Sequence, residues 1–106
     1  MESSSVIIEI RPGAGGDEAA LFSSELFKMY KNYAAKKGLS VTVLDSSVTS
    51  IGGIKDISFE ISGPGTYNYY KQEAGVHRVQ RVPETEKSGR VHTSTVSVAV
   101  LKKASE

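Results

Sequence analysis

One long amphipathic segment, flanked on both sides by strand-like runs, most strongly limits the folds open to this 106-residue chain. Its apolar residues recur at steps of three and four, at Ala19, Phe22, Leu26, Met29 and Tyr33. This spacing predicts a helix that Asp17 and Glu18 open and that runs to about Lys37, with Gly38 as its stop. The aromatic residues of this segment are expected to pack in the core; they are Phe22, Phe27, Tyr30 and Tyr33.

Five shorter runs have the composition and alternation of β-strands. They cover residues 6–10, 39–44, 55–62, 76–82 and 93–101, and residues 45–53 connect the second run to the third. A short helix is predicted for residues 66–74, between Gly63-Pro64-Gly65 and Gly75. The order β-α-β-β-α-β-β predicts an α+β two-layer sandwich, in which one long and one short helix cover one face of a mostly antiparallel sheet. Residues 1–106 are expected to form a single domain.

Composition excludes several classes of protein. The chain has 39% hydrophobic and 24% charged residues, which is typical of an ordinary globular fold. It has no apolar run near the roughly 18 residues that span a bilayer, so no membrane partner is expected. The absence of cysteine excludes disulfides and thiolate metal sites. A net charge of only +1 argues against a uniformly basic nucleic-acid clamp.

The first candidate site is the glycine-rich loop at residues 11–18. Glycines before a helix leave backbone N–H groups exposed, which favours an acceptor-bearing ligand. A phosphate fits poorly, because the Lys-Ser/Thr ending of a P-loop is missing and Asp17 and Glu18 carry like charge. Uracil fits better, since its carbonyl oxygens accept from N–H groups and its N3–H can donate to a carboxylate or a carbonyl. A structural glycine turn capped by Asp17 is the alternative.

The second candidate site is the turn of the last hairpin, within residues 76–93, which hold both histidines and three of the four arginines. Gln80 and Thr93 can each donate or accept a hydrogen bond, so together they can meet the amine of adenine or the carbonyl of guanine. His92 can stack on a base. Thr85, behind the rigid Pro83, adds a hydroxyl. A solvated polar hairpin is the alternative.

No cofactor is expected, and a metal site is disfavoured because His77 and His92 are fifteen positions apart and lack a helical ligand spacing.

Four segments in the same order resemble the central codon-recognition domain of bacterial-type class I peptide chain release factors, of the kind specific for UAA and UAG. They are residues 11–22, Gly63-Pro64-Gly65, residues 75–83 and residues 89–94. The resemblance implies a role in translation termination, with the decoding site of the small ribosomal subunit and the stop codon of the mRNA as partners. No small-molecule substrate is implied. A bacterial cytoplasm is expected rather than an organelle matrix.

The resemblance also implies a role for each candidate residue. Gly15, Glu18 and Thr85 would recognise the first uridine, and His92 would stack between the second and third bases. Gln80 and Thr93 would meet the third purine. The family's Pro-X-Thr tripeptide corresponds to Pro83, Glu84 and Thr85, whereas the UAA/UGA-specific relative is expected to carry Ser-Pro-Phe there.

The family's catalytic Gly-Gly-Gln loop has no counterpart, since Gly15-Gly16 is followed by Asp17 and Gly52-Gly53 by Ile54. No catalytic residue is therefore predicted, and the chain is expected to be an excised or truncated domain without the hydrolysis domain and the N-terminal helical domain. Two other functions stay open. One is a hydrolase with His77 or His92 as base, and the other is a rescue-type scaffold that docks on the ribosome without reading a codon.

Overall fold

The computed structural model describes residues 3–81, 89 and 91–103. Its elements follow the predicted order β-α-β-β-α-β-β. They are β1 (Ser3–Pro12), α1 (Gly16–Lys36), β2 (Ser40–Val48), β3 (Ile54–Pro64), α2 (Thr66–Tyr70), a 3₁₀ turn (Lys71–Glu73), β4 (Gly75–Arg81) and β5 (His92–Lys102).

The five strands form one antiparallel sheet in the order β2-β3-β1-β5-β4. The central strand β1 is β-branched and alternating, and Ile8 pairs with Phe59 on one side and Val100 on the other. Between Val6 and Ile10 every second residue of β1 is buried, namely Val6, Ile8 and Ile10. Side chains alternate across a sheet, so these three lie on one face, and that is the face that the helices cover. The predicted α+β sandwich is confirmed.

The core fills the space between α1, α2 and the covered face of the sheet. Its largest fully buried side chains are Tyr70 and Phe59, and the ring of Phe59 meets that of Phe27 edge to face at 4.9 Å between centroids. Tyr70 donates its hydroxyl to the backbone oxygen of Tyr30 at 3.0 Å. The buried phenol is thus satisfied, which avoids the cost of an unpaired polar group.

The helix ends as the sequence predicts. Gly38 has φ +72°, the left-handed conformation that favours glycine. Its N–H donates to the oxygen of Ala35 at 3.2 Å, and the N–H of Leu39 donates to the oxygen of Ala34 at 2.8 Å. These two bonds satisfy the last carbonyl groups of α1 and turn the chain into β2.

The buried face of α1 is rotated from the predicted one. Ala19 and Leu26 are buried as expected, but Met29 is 50% exposed and Tyr33 is 37% exposed. Tyr30, which the sequence also predicts in the core, is buried four residues after Leu26, so the buried line continues by steps of four. The prediction for Met29 and Tyr33 was wrong, because both lie at the margin of the covered face. Phe22 and Phe27 pack partly buried against the core.

β2 also extends further than predicted, through residues 45–48, which the sequence assigns to a connection. Asp45, Ser46 and Ser47 have weak strand propensity, but each pairs with a residue of β3. Register shifts at Val43/Asp45 and Ser47/Val48 accommodate them. Cross-strand hydrogen bonding to β3 therefore overrides local propensity. Within the described residues, no helix is long and apolar enough to cross a membrane.

Candidate nucleic-acid interface

The glycine-rich loop is bonded directly to strand β5. The N–H of Gly13 donates to the oxygen of Thr95 at 2.7 Å, and the N–H of Thr95 donates to the oxygen of Ala14 at 2.8 Å. The Thr95 side chain contributes a third bond, because its Oγ1 accepts from the N–H of Ala14 at 2.8 Å. These bonds fix the loop against the strand that leads out of the hairpin turn.

Gly15 is the N-cap of α1 and has φ +115° and no side-chain capping bond. A Cβ at this position would lie 2.7 Å from Oγ and 3.0 Å from Cα of Ser94. Both the backbone angle and the close approach to β5 therefore require glycine. The alternative in which Asp17 caps the helix is wrong, since Asp17 lies inside the first turn and is exposed.

The side chain of Glu18 faces the interior, although the sequence suggests that a carboxylate of this loop can accept a hydrogen bond from a base. It is only 4% exposed, and its N–H donates to the oxygen of Gly15 at 3.2 Å. The surface at this end of α1 thus consists of backbone and the exposed residues of the loop.

Gln80 and Thr93 face each other across β4 and β5. The amide Nε2 of Gln80 donates to Oγ1 of Thr93 at 3.2 Å, and both residues are exposed. In this arrangement, the carbonyl oxygen of Gln80 can still accept a hydrogen bond and the hydroxyl of Thr93 can still donate one. The structure therefore brings together the two residues that the sequence predicts to act on one base.

The loop and the Gln80–Thr93 pair lie at the same end of the molecule, and the loop contacts β5 side chains on both faces of that strand, Ser94 on one and Thr95 on the other. Ser94, against Gly15, is buried, whereas Thr93, the preceding residue, is exposed. Neighbouring side chains of a strand point to opposite faces. Thr95, whose Oγ1 accepts from Ala14, therefore shares a face of β5 with Thr93, two residues away.

Pro83 and Thr85 lie outside the described residues, so their predicted roles stay predictions. For His92 the description extends to the backbone, which pairs with Arg81. The position of its ring relative to the loop is likewise still a prediction.

His77 is engaged in a structural bond. Its Nε2 lies 2.7 Å from the backbone oxygen of Glu73, so this nitrogen must carry the proton that is donated. A ring nitrogen used in this way is not free to act as a general base. Among the residues that the structure describes, no three His, Cys, Asp or Glu side chains are grouped to hold a metal ion.

A cavity of about 430 Å³ opens beside the glycine loop and reaches the turn between β2 and β3. Four charged residues line it, namely Arg11, Asp17, Lys55 and Asp56. Two positive and two negative charges cancel, so the cavity does not attract a phosphate by net charge. This agrees with the sequence-based preference for a neutral ligand at the loop.

Sequence reasoning missed Ser94 and Thr95, on which the loop depends. Both look like ordinary residues of an alternating strand. Their role depends on the register in which Pro12 pairs with Val96, which places the loop opposite residues 94 and 95. A sequence pattern within β5 alone carries no signal of that pairing.

Comparison with protein families shows to which family this chain belongs. Residues 1–98 match the PCRF domain model, so the chain belongs to the PCRF domain family. The similar proteins are peptide chain release factors. Peptide chain release factor 1 of Acetivibrio thermocellus is 61% identical over 101 residues, covering 95% of this chain and 28% of that protein. The factor of the same name from Thermus thermophilus is 55% identical over 106 residues, covering 100% of this chain and 30% of that protein.

A solved structure agrees with these relatives. RF2 of Thermus thermophilus superimposes with a TM-score of 0.87 at 37% sequence identity, over 92% of this chain and 28% of that chain. The chain thus spans less than a third of the length of these relatives. The family resemblance seen in the sequence is confirmed.

Proposed function

We propose that this chain is the stop-codon-reading domain of translation termination and that it recognises UAA and UAG in the ribosomal A site. The observation that carries the proposal is the exposed Gln80–Thr93 pair of the β4–β5 hairpin. Strand β5 of the same hairpin holds the glycine loop through Ser94 and Thr95. Identity of 55–61% to proteins named peptide chain release factor 1 supports the choice of codons.

The first position would be read as uridine by the backbone of the loop. The leading N–H groups of a helix have no intrahelical acceptor, and the backbone of Gly15 and Gly16 at the start of α1 is exposed. Uracil presents carbonyl oxygens to such donors, whereas cytosine presents an amine at position 4. A donor facing a donor costs roughly 1–3 kcal/mol in a desolvated site. Thr85 would add a hydroxyl to this position.

The third position would be read as either purine by Gln80 and Thr93. The free carbonyl oxygen of Gln80 suits the N6 amine of adenine. The free hydroxyl proton of Thr93 suits the O6 carbonyl of guanine. His92 would stack between the second and third bases, and Pro83 would hold Thr85 at the turn.

The domain itself would supply recognition and no chemistry. Hydrolysis of peptidyl-tRNA would belong to the part of a full-length factor that carries a Gly-Gly-Gln loop. The partners would be the small-subunit decoding site and the mRNA, in the bacterial cytoplasm. Affinity for a free trinucleotide would be very low, because ordering a single strand costs free energy that the ribosome helps to supply.

The test is to replace the corresponding domain of a bacterial release factor 1 with residues 3–103 and to measure peptide release at UAA, UAG and UGA. We expect release at UAA and UAG but not at UGA. Gln80→Ala combined with Thr93→Ala should lower kcat/KM and relax discrimination at the third position. Ser97→Ala, an exposed residue further along the same hairpin, is the matched control.

Unchanged discrimination in the double variant would refute the role of Gln80 and Thr93. Equal ribosome binding and equal release with sense and stop codons would instead favour the scaffold that docks without reading a codon. A further variant, Glu18→Gln, tests whether the first base is read through the backbone, in which case discrimination of uridine from cytidine should persist.

A further inference from the structure

The end of α1 remote from the glycine loop carries a concentration of positive charge. Residues 26–38 contain no acidic residue and four lysines, all exposed: Lys28, Lys31, Lys36 and Lys37. The whole chain has a net charge of only +1. Cations in the last turn complement the helix dipole, but these four extend over nearly three turns, further than that effect reaches. Since α1 has 21 residues, this surface lies roughly 30 Å from the loop.

Two exposed tyrosines adjoin these lysines. Tyr33 is 37% exposed and Tyr69 of α2 is 42% exposed, and their rings meet edge to face at 5.7 Å between centroids. The ammonium of Lys37 lies 5.5 Å from the centroid of each ring. We define the tyrosine–lysine patch as Tyr33, Lys36, Lys37 and Tyr69.

The patch borders a cleft of about 180 Å³, which Met29 and Glu73 also line. The Glu73 carboxylate accepts a hydrogen bond from the hydroxyl of Tyr30 at 3.0 Å, so this acid already has a partner within the cleft. In the described part of the chain, none of the four lysines of α1 forms an ion pair. Their charge is therefore available to an outside partner.

We propose that the tyrosine–lysine patch is a second RNA-binding surface, which contacts RNA without regard to codon. Lysines supply the backbone contacts that dominate nucleic-acid affinity, and exposed aromatic rings supply faces on which bases stack. An acidic protein segment would use the lysines but would gain little from the two ring faces. The combination of rings and lysines therefore favours RNA, and the proposal does not depend on stop-codon recognition.

Binding of this chain to a labelled 12-nucleotide RNA of alternating cytidine and adenosine tests the proposal. This probe contains no uridine and hence no stop triplet, so failure of the patch and failure of codon reading are separable. If the two lysines of the patch each meet a phosphate, the slope of log K against log salt should be about −1.4, and affinity should fall about sevenfold between about 50 and 200 mM salt.

Lys36→Gln combined with Lys37→Gln should abolish that slope, so that the same change in salt no longer weakens binding. Tyr69→Leu should weaken binding while leaving the slope unchanged, because it removes stacking and no charge. Lys102→Gln combined with Lys103→Gln removes the same charge from the end of β5, at two exposed lysines, and is the matched control. Circular dichroism melting of each variant confirms that it is folded.

Three results would overturn the proposal. One is the absence of salt-dependent RNA binding by the unaltered chain. Another is an equal loss in the control pair, which would assign binding to overall charge. The third is that an oligoglutamate peptide competes as well as RNA while Tyr69→Leu has no effect, which would point to an acidic protein partner.

Discussion

Gly15 and Ser94 are in such close contact that no side chain fits between them: a Cβ on Gly15 would approach Cα of Ser94 to 3.0 Å. This contact joins the N-terminus of α1 to β5, two elements separated by most of the chain. It explains why only glycine fits at position 15 of the glycine-rich loop. It also brings the loop to the strand that carries Thr93.

Gly15→Ala should destabilise the protein by about 2–4 kcal/mol, because it adds a contact with Ser94 to the strain of alanine at φ +115°. Gly16→Ala is the matched control. Gly16 also has positive φ, at +55°, but has no atom within 4 Å of an added Cβ, so its cost should be about 1 kcal/mol. Urea unfolding of both variants measures the difference. Equal losses would show that the contact with Ser94 is unimportant.

Thr95→Val should loosen the loop while leaving the strand intact. Valine keeps the shape of threonine but removes the Oγ1 that accepts from the N–H of Ala14. We expect a loss of about 1 kcal/mol and faster hydrogen exchange of the Ala14 amide. Thr93→Val loses only the exposed bond with Gln80 and should cost less, with no change at Ala14. Unaltered exchange at Ala14 in Thr95→Val would contradict the assigned bond.

Phe59→Ala should cost about 3–5 kcal/mol, because Phe59 is fully buried and packs on Phe27. Its neighbour on β2, Val43, pairs with it in the sheet but is 48% exposed. Val43→Ala should therefore cost less than about 1 kcal/mol. Thermal and urea unfolding give both values, and comparable losses would mean that the core is not centred on Phe59.

The stability of the fold should decline in alkali because of two buried tyrosines. The pKa of Tyr70 is raised to about 12, mainly by burial and to a smaller extent by the charge of Tyr33. Burial and then the hydrogen bond with Glu73 raise the pKa of Tyr30 still further. Since the folded pKa is the higher one, the stabilisation is complete below the unfolded pKa of about 10 and is lost as the pH rises through the folded pKa.

The free energy of unfolding should thus fall above pH 10, by as much as about 1.4 kcal/mol per pH unit for each tyrosine. Tyr70→Phe should be less stable near neutral pH, because it loses the bond to the oxygen of Tyr30, but its stability should depend less on pH. Urea unfolding at pH values from about 9 to 11.5 compares the two slopes. Identical slopes would show that Tyr70 does not titrate as described.

Much of the candidate site could be expected from the sequence, but its geometry could not. Gln80 and Thr93 were predicted to act together from their shared ability to donate and accept, and the structure places them 3.2 Å apart. Glu18 was predicted as a site residue, and the structure buries its side chain. Whether a residue at the start of a helix faces inward depends on what covers it, and a local pattern does not contain that information.

The order of elements, the helix stop at Gly38 and the single apolar face of the sheet can all be predicted from local sequence patterns. Those features follow from interactions between residues a few positions apart, which periodicity and glycine conformation record. Three features depend on the folded chain: Met29 and Tyr33 stay at the margin of the core, β2 continues through Asp45, and the glycine loop rests on Ser94 and Thr95. Each of these depends on pairing between distant segments, where packing and hydrogen bonds outweigh local propensity.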